Sequence, residues 1–179
     1  MNRCNMSRSE TRIQRYTRKS ESAAKFRCSI ASVEFQLDIN IGVIVRSAAC
    51  FGAQAVHVIG HVPQRDELRS RSGSTSDYVK IIQHKNPADF LESVKGSKLV
   101  AVELRENAKS ICDYTFDMTQ DTVIIAGHET SGVPEGIINA ADDLIYIPMP
   151  GIGFCLNTAM TAHIVLYEYV KQALREKNA

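Results

Sequence analysis

The chain has 179 residues, of which 44% are hydrophobic and 23% charged, a composition typical of one soluble globular domain. No apolar run approaches the roughly 18 residues that span a bilayer. The N-terminus lacks the apolar core of a secretory signal, so we expect neither secretion nor a membrane partner. The 5 cysteines never form a CxxC pair, which disfavours a disulfide framework or a structural zinc site and favours the cytoplasm.

The net charge of +1 conceals a basic arm at the N-terminus. Residues 1–30 contain eight basic and two acidic residues, whereas the remaining 149 residues contain 13 basic and 18 acidic ones. We therefore predict a basic, partly disordered arm over residues 1–28 and a folded domain over residues 29–179. Such an arm favours a nucleic acid over a membrane as partner, and a solvated terminus that binds nothing specific is the alternative.

Hydrophobic patterning predicts that strands alternate with helices along the chain. A β-branched run predicts a strand over residues 29–37, and helical spacing predicts a helix over residues 40–51. Asn40 is suited to cap this helix at its N-terminus and Gly52 to end it. A second strand follows at residues 53–59.

The middle of the chain is predicted to be a polar loop followed by more regular structure. Residues 62–77 are rich in Ser and Arg, which is typical of a mobile surface loop with a short helix inside. The part spanning residues 65–76 either contacts RNA or is only solvated. A short strand at residues 79–83 precedes a helix at residues 86–95, in which Asn86 is the predicted cap.

The last part of the chain repeats the same alternation. We predict strands at residues 98–104, 122–126 and 144–147, with helices at residues 134–141 and 156–177. The long final helix carries one stripe of largely apolar residues: Leu156, Ala159, Met160, His163, Tyr167, Val170 and Leu174. Apolar strands separated by helices indicate a parallel sheet covered on both faces, so the predicted fold class is α/β.

Three loops that follow predicted strands are the candidate site, because open parallel sheets bind ligands beyond the carboxyl ends of their strands. They are residues 38–46, 127–132 and 148–157. Neither the GxGxxG nor the P-loop pattern is present, which disfavours ordinary dinucleotide and triphosphate sites. His57 and His61 lie on or just after a strand, where a spacing of four does not align them, so we expect no metal site.

Each loop has a functional interpretation and a structural one. Arg46 either grips a phosphate with its planar guanidinium or extends into solvent from an exposed helix face. Glu129, between Gly127 and Gly132, either faces a ligand or is a solvated acid in a tight turn. In the third loop two prolines and two glycines specify the backbone, which is typical of a functional loop. Cys155 is a candidate nucleophile there.

Taken together, the three loops resemble the motifs of a known family. They read N-x-G-x-x-x-R-x-A, G-x-E-x-x-G, and I-P-M-x-G followed by L-N, in that order. This pattern resembles the SpoU-type (TrmH-like) branch of the SPOUT RNA methyltransferases over residues 30–172. The resemblance implies a parallel sheet flanked by helices with a C-terminal deep trefoil knot, and a homodimer whose active sites lie at the interface.

The resemblance also implies chemistry. S-adenosylmethionine would be the methyl donor, without a metal, and a ribose 2′-hydroxyl of tRNA or rRNA the acceptor. The positions that match the polar catalytic set are Asn40, Arg46, Glu129 and Asn157. Those that match or neighbour the donor pocket are Leu104, Gly127, Ile147, Met149, Gly151, Cys155 and Leu156.

Two residues depart from the pattern of the family. Cys155 stands where relatives have serine, and His128 where many have a small residue. A thiol is a weaker hydrogen-bonding partner than a hydroxyl, so we expect a changed donor or substrate site. The alternatives are a catalytically impaired RNA-binding protein with the same fold, and an unrelated α/β enzyme in which Cys155, paired with His128 or His163, is the nucleophile.

Overall fold

The protein is described by a computed structural model covering residues 11–21 and 23–177. Seven strands form one parallel sheet, in the spatial order β3-β2-β1-β6-β4-β7-β5. The strands are β1 (Cys28–Val33), β2 (Ala55–Ile59), β3 (Lys80–His84), β4 (Lys98–Val102), β5 (Lys109–Ser110), β6 (Thr122–Ala126) and β7 (Asp143–Tyr146).

Helices connect the strands and lie on both sides of the sheet. They are α1 (Arg12–Glu21), α2 (Asp38–Phe51), α3 (Arg65–Arg71), α4 (Pro87–Ser93), α5 (Glu135–Ile138) and α6 (Thr158–Glu176). A 3₁₀ turn at Ser76–Tyr78 follows α3. Within the described residues, no helix is both long and apolar enough to cross a membrane.

Two hydrophobic clusters, one on each face of the sheet, hold the fold together. On one face α2 and α6 pack over the strands, with Ile44 of α2 and Leu166 of α6 fully buried. On the other face α4 and α5 pack over the strands, with Phe90 of α4 and Ile137 of α5 fully buried. Strands covered on both sides are apolar throughout, and β6 is buried at all five positions. The predicted α/β class is therefore confirmed.

Strand register brings several loops to one edge of the sheet. Ala126, the last residue of β6, pairs with Ser32 near the end of β1 and with Val102 at the end of β4. Val102 pairs in turn with Ile145 of β7. The segments that follow these four strands consequently begin at the same level, and this edge contains the three candidate loops.

The chain path around β7 is unusual. β7 lies between β4 and β5, although β4 and β5 follow one another in sequence. The chain from β4 to β6 thus passes to the far side of β7 and returns. The two-residue strand β5, in which Lys109 pairs with Ile145 and Ser110 with Tyr146 of β7, marks the far side. Two residues carry no periodic signal, so β5 could not be predicted from the sequence.

Predicted boundaries differ from the structure where the backbone turns early. The first strand ends at Val33 rather than residue 37, because Glu34 adopts a positive φ of 50°. Asn40 was predicted to cap the next helix, but α2 begins at Asp38 and has Leu37 at the cap position without a side-chain bond. Gly52 does end α2, with a left-handed φ of 72°.

The apolar stripe predicted on the last helix coincides only in part with the face of α6 that is buried. Ala159 and Val170 are buried, but Met160 is 59% exposed and Tyr167 53%. The buried face is rotated toward Ala162, Val165, Leu166, Tyr169 and Ala173. The helix is apolar on two sides, so periodicity could not choose between them, and contact with α2 and the sheet selects the face with small residues.

The predicted basic arm is described only in part. Residues 1–10 and residue 22 of the partly disordered arm predicted over residues 1–28 lie outside the described residues. The remainder contains α1, which has Arg18 and Lys19 in its last turn. Phe26 N–H donates to the Gly52 carbonyl and joins the segment after α1 to the end of α2.

Candidate active site

A cavity of about 270 Å³ lies at the edge of the sheet where β4, β6 and β7 end. Six of the seven residues predicted at the donor pocket line it: Leu104, Gly127, Ile147, Met149, Cys155 and Leu156. The seventh, Gly151, lies in an adjoining hollow of about 350 Å³ that shares Phe154 with the cavity. The structure thus brings together loops that are far apart in sequence.

One wall of the cavity is the turn at residues 127–133, which has almost no room for larger side chains. A Cβ on Gly127 would lie 2.2 Å from the carbonyl carbon of Gly132. Gly132 has a φ of 71°, and the amide and carbonyl of His128 pair with those of Gly132. The two glycines are required by this close approach of backbone to backbone. We call residues 127–133 the turn wall.

Glu103 anchors the turn wall, although the sequence analysis did not select it. Its carboxylate accepts the amide of Val133 at 2.8 Å and the amide of Leu104 at 3.1 Å. A Cβ on Gly132 would lie 2.3 Å from its Oε2. An acidic residue directly after a buried strand was the available signal, and it lies at the same edge as the predicted loops.

A chain of polar side chains joins three loops beside the cavity. Asn40 donates its Nδ2 to Glu129 Oε1 at 2.6 Å, and Asn157 donates its Nδ2 to Asn40 Oδ1 at 3.1 Å. Asn40 is 4% exposed, which explains why its side chain pairs rather than caps α2. Three of the four residues predicted as the catalytic set are therefore in direct contact.

Glu129 is held as a carboxylate by this arrangement. It also accepts the amides of Gln36 at 2.8 Å and Leu37 at 3.2 Å, at the start of α2. Burial opposes its ionisation, but these bonds and the one from Asn40 outweigh burial and lower the pKa of Glu129 below its ordinary value. A negative charge at a helix N-terminus is also favourable.

Asn157 joins the catalytic network to the last helix. Its Oδ1 accepts the amides of Ala159 and Met160, which makes it the N-cap of α6. The next residue, Thr158, donates its hydroxyl to the Gly127 carbonyl at 2.7 Å. The start of α6 is consequently fastened both to Asn40 and to the turn wall.

The second wall of the cavity is the loop at residues 149–156, and it is held far more loosely. Phe154 is 91% exposed although it borders the cavity, and Ile152 is 98% exposed. Residues 149–156 make no hydrogen bond to the rest of the described chain. We call this segment the loop wall.

Arg46 does not reach the cavity of its own chain. It lies on the exposed side of α2, six residues beyond Asn40, and is not among the residues that line the cavity. It has no hydrogen bond or ion pair with another residue in the described ranges. The motif glycine between them, Gly42, has a structural reason, since a Cβ there would lie 2.5 Å from Arg71 Cβ on α3.

Cys155 makes no hydrogen bond to a base within the described residues, although His128 lines the same cavity. The predicted partner His128 accepts the amide of Thr130 with Nδ1, and His163 Nδ1 lies 2.8 Å from Ser47 Oγ. Neither ring is hydrogen-bonded to the thiol among the described contacts. Cys155 thus lacks the hydrogen-bonded base that activates many thiol nucleophiles.

The other histidines pair inside the fold. His57 Nδ1 lies 2.9 Å from His84 Nε2, the two rings stack on each other, and both meet Phe90 in edge-to-face contacts. Burial and the neighbouring His84 lower the pKa of His57 to about 4, so the pair is neutral at pH 7. Within residues 11–21 and 23–177, no group of three or more His, Cys, Asp or Glu residues is placed to hold a metal.

The protein is a parallel α/β domain with a cavity and an Asn–Glu–Asn network at the carboxyl ends of its strands, where proteins of this class bind ligands. Comparison with known proteins makes the assignment specific, because the profile of the SpoU rRNA Methylase family matches residues 27–167. The chain therefore belongs to this family, as its motifs predicted.

Individual relatives agree with the family. A 23S rRNA (uridine(2479)-2′-O)-methyltransferase of Streptomyces viridochromogenes is 32% identical over 148 residues, which are 78% of this chain and 51% of the relative. A tRNA (guanosine(18)-2′-O)-methyltransferase of Thermus thermophilus is 31% identical over 141 residues, 76% of this chain and 70% of the relative. The chain thus spans about half the length of the first of these proteins.

A solved structure shows the same fold. The SpoU methyltransferase AviRb from Streptomyces viridochromogenes, in complex with the cofactor AdoMet, superposes with a TM-score of 0.71 at 27% identity. The match covers 85% of this chain and 60% of that one.

Proposed function

We propose that this protein transfers a methyl group from S-adenosylmethionine to a ribose 2′-hydroxyl of tRNA or rRNA. The observation that carries the proposal is the contact of Asn40, Glu129 and Asn157 beside a cavity lined by the predicted donor residues. The names of the relatives support this activity and include both kinds of RNA.

The cavity suits the donor in shape and polarity. Leu104, Ile147, Met149 and Leu156 offer apolar contacts for a purine ring, and Gly127, packed against the backbone of Gly132, lines the cavity in the turn wall. Its volume of about 270 Å³ is near the lower end for small-molecule sites, and the exposed loop wall leaves it open on one side. S-adenosylmethionine, when bound, supplies the methyl group on its sulfonium.

The polar residues would position the acceptor. Glu129 holds Asn40, and Asn157 holds Asn40 and the start of α6, so the three define a fixed polar edge beside the cavity. Holding a hydroxyl in line with a methyl group can remove on the order of 7–11 kcal/mol of the barrier in the best-oriented systems.

Arg46 would activate the acceptor by its charge. A guanidinium stays protonated in proteins, so it is a poor general base. Its planar fork instead suits a phosphate next to the reacting ribose, and its positive charge favours loss of the proton from the hydroxyl. A phosphate oxygen or a water molecule would then accept that proton.

The position of Arg46 supports a homodimer in which the second subunit completes the site. Arg46 lies outside the cavity of its own chain, and a row of large apolar side chains is exposed on the same side of the molecule as α2 and α6. That row consists of Leu37, Ile39, Met160 and Ile164. Exposed apolar area of this kind marks an interface.

The remaining structural expectations belong to the same proposal. The path of the chain around β7 is what a trefoil knot requires, and we propose that the segment after β7 passes through the loop between β4 and β6. Knots are rare among folds, so a continuous experimental backbone trace is the test. RNA as the substrate favours the cytoplasm.

Nucleoside analysis tests the activity directly. The protein is incubated with total cellular RNA and isotopically labelled S-adenosylmethionine, and the RNA is digested and examined by mass spectrometry. We expect label in a 2′-O-methylated nucleoside at one site. Label on a base, or no label despite donor binding in a calorimetric titration, would contradict the proposal. Failure of the donor to bind would favour the impaired RNA-binding alternative.

Mixing two inactive variants tests the shared site. Arg46→Ala leaves the cavity intact, while Gly127→Ala damages the cavity and leaves Arg46. If each site uses Arg46 from the other subunit, mixed dimers contain one complete site, and activity should return toward one quarter of the wild-type level. Absence of recovery, with mixed dimers demonstrated by native mass spectrometry, would contradict the shared site. Leu104→Arg, at an exposed position, replaces Gly127→Ala if the latter does not fold.

A further inference from the structure

A second cavity, of about 420 Å³, lies at the opposite edge of the sheet from the candidate active site. It is bordered by α1, by residues 23–26 before β1, and by the ends of α2 and α6. Nothing in the proposed methyl transfer uses it. We call it the arm cavity.

Aromatic rings flank the arm cavity on two sides. Tyr16 of α1 and Tyr78 of the 3₁₀ turn lie with ring centroids 5.5 Å apart. Phe51 of α2 and Tyr167 of α6 form a second pair at 5.7 Å. Phe26 completes the lining between them. Tyr16, Phe51 and Tyr78 are half-buried, so their rings are fixed but accessible from the cavity.

The charge around this cavity is positive. Lys19 and Lys25 are among its described lining residues, which include no Asp or Glu. Lys177 lies 4.9 Å from the centroid of the Phe26 ring. α1 carries Arg15, Arg18 and Lys19 against one acid, Glu21, so this helix has a net positive charge. A cavity with aromatic sides and a cationic rim combines the two features that bind a nucleobase and its phosphates.

From these observations we infer that the arm cavity binds an unpaired nucleobase of the RNA substrate, while Lys19 and Lys25 contact the adjacent phosphates. The inference deepens the proposed function, on which it rests, by adding an RNA contact remote from the reacting ribose. An unpaired base is the expected occupant because aromatic side chains stack on single-stranded bases, whereas paired bases are already stacked.

A second copy of this chain is a less favourable occupant. A two-fold contact places the same surface of each subunit against that of the other. At the arm cavity such a contact would bring two cationic α1 helices together. An RNA strand instead supplies the opposite charge, so charge complementarity favours RNA.

A single introduced tryptophan reports on this site. The chain contains no Trp, so the emission of a Tyr78→Trp variant comes from the arm cavity alone. The variant is titrated, without S-adenosylmethionine, with a six-nucleotide oligoadenylate and with an abasic oligonucleotide of the same length. We expect saturable quenching by oligoadenylate and little change with the abasic strand. Equal responses to both strands, or no response to either, would overturn the inference.

Substitutions separate stacking from charge. Tyr78→Ala and Tyr16→Ala should each weaken oligoadenylate binding on the order of tenfold, whereas Tyr78→Phe, which keeps the ring, should bind like wild type. Lys19→Gln should weaken binding of both strands equally and reduce the salt dependence by about one charge. Wild-type affinity in both alanine variants would show that the rings do not contact the base.

The outcomes also distinguish this inference from the proposed function. Methylated RNA without quenching of the introduced tryptophan would leave the methyltransferase intact and reject the base site. Quenching without methylation would support the base site and reject the activity. The emission of the Tyr78→Trp variant could also change with protein concentration but not with RNA. That result would show that the arm cavity is an interface between copies and would contradict the inference.

Discussion

The two walls of the candidate active site differ in how they are held. The turn wall contains two glycines in close contact, and it is held by the Glu103 carboxylate and by the bonds of Glu129 to Asn40, Gln36 and Leu37. The loop wall lies opposite, with Ile152 and Phe154 almost fully exposed. The turn wall is therefore fixed by contacts within the protein, whereas the loop wall has few contacts that fix it.

This difference indicates that the two walls have different roles in ligand binding. A preorganised wall contributes specificity without an entropic cost at binding, whereas a loose wall loses conformational entropy when it closes on a ligand. We expect the turn wall to determine which donor is recognised and the loop wall to close over it. Substitutions in the turn wall should therefore have the larger effects.

The largest effect is expected from Gly127→Ala. The added Cβ would meet the Gly132–Val133 backbone within 2.4 Å, and backbone can move away only by opening the turn. Overpacking of this kind costs about 1–3 kcal/mol of folding free energy. Opening the turn to relieve it would displace the cavity wall, and we expect a loss of donor affinity of up to about 100-fold. Calorimetric titration with S-adenosylmethionine measures it.

Gly136→Ala is the matched control, because a Cβ at this position in α5 meets nothing within 4 Å. We expect unchanged donor affinity and slightly higher stability, since alanine favours a helix by about 1 kcal/mol over glycine. Equal donor affinity in both glycine variants would contradict the preorganised turn wall.

A smaller effect is expected from Glu103→Ala. The Val133 amide would lose its acceptor, and Val133 is 3% exposed, so the loss should cost about 1–3 kcal/mol of folding free energy. We expect a lower melting temperature and roughly tenfold weaker donor binding. Glu106→Ala removes the same charge from an exposed position and should change neither quantity. Equal effects of the two variants would assign the result to charge alone.

The pH dependence of stability tests the state of Glu129. Its pKa is lowered in the folded protein, so the ionised carboxylate contributes stability above its ordinary value of 4.5. This contribution should be lost as the pH falls from 4.5 through the lower folded pKa. Urea unfolding at several pH values should show a steeper acid loss in wild type than in Glu129→Gln. Parallel curves would mean that Glu129 is not held as a carboxylate.

The smallest effect is expected from Cys155→Ser in the loop wall. Cys155 is exposed and makes no hydrogen bond within the described chain. Exposed substitutions usually change free energies by at most about 0.5 kcal/mol, so donor affinity should change by no more than about twofold to threefold. A gain of tenfold in donor affinity or in kcat would show that a hydroxyl at this position acts in the site.

Much of the sheet could be predicted because its signals are local. The strand at residues 122–126 was predicted with its observed bounds, since a buried strand between turn residues leaves little choice. Asn86 was predicted as a cap and accepts the Asp89 amide at 2.9 Å. The face of α6 could not be predicted, because the helix has two apolar sides and packing with α2 selects one of them.

The amino-acid sequence alone determined the α/β class, the three loops and the family, because periodicity, glycine and proline positions and motif order are carried by nearby residues. The tertiary structure decided which residues meet. Asn40 and Glu129 are 89 positions apart, and only the parallel register of β1 and β6 brings them to hydrogen-bonding distance. It also decided that Glu103 supports the turn wall and that Arg46 lies outside its own cavity, because neither placement depends on a local pattern.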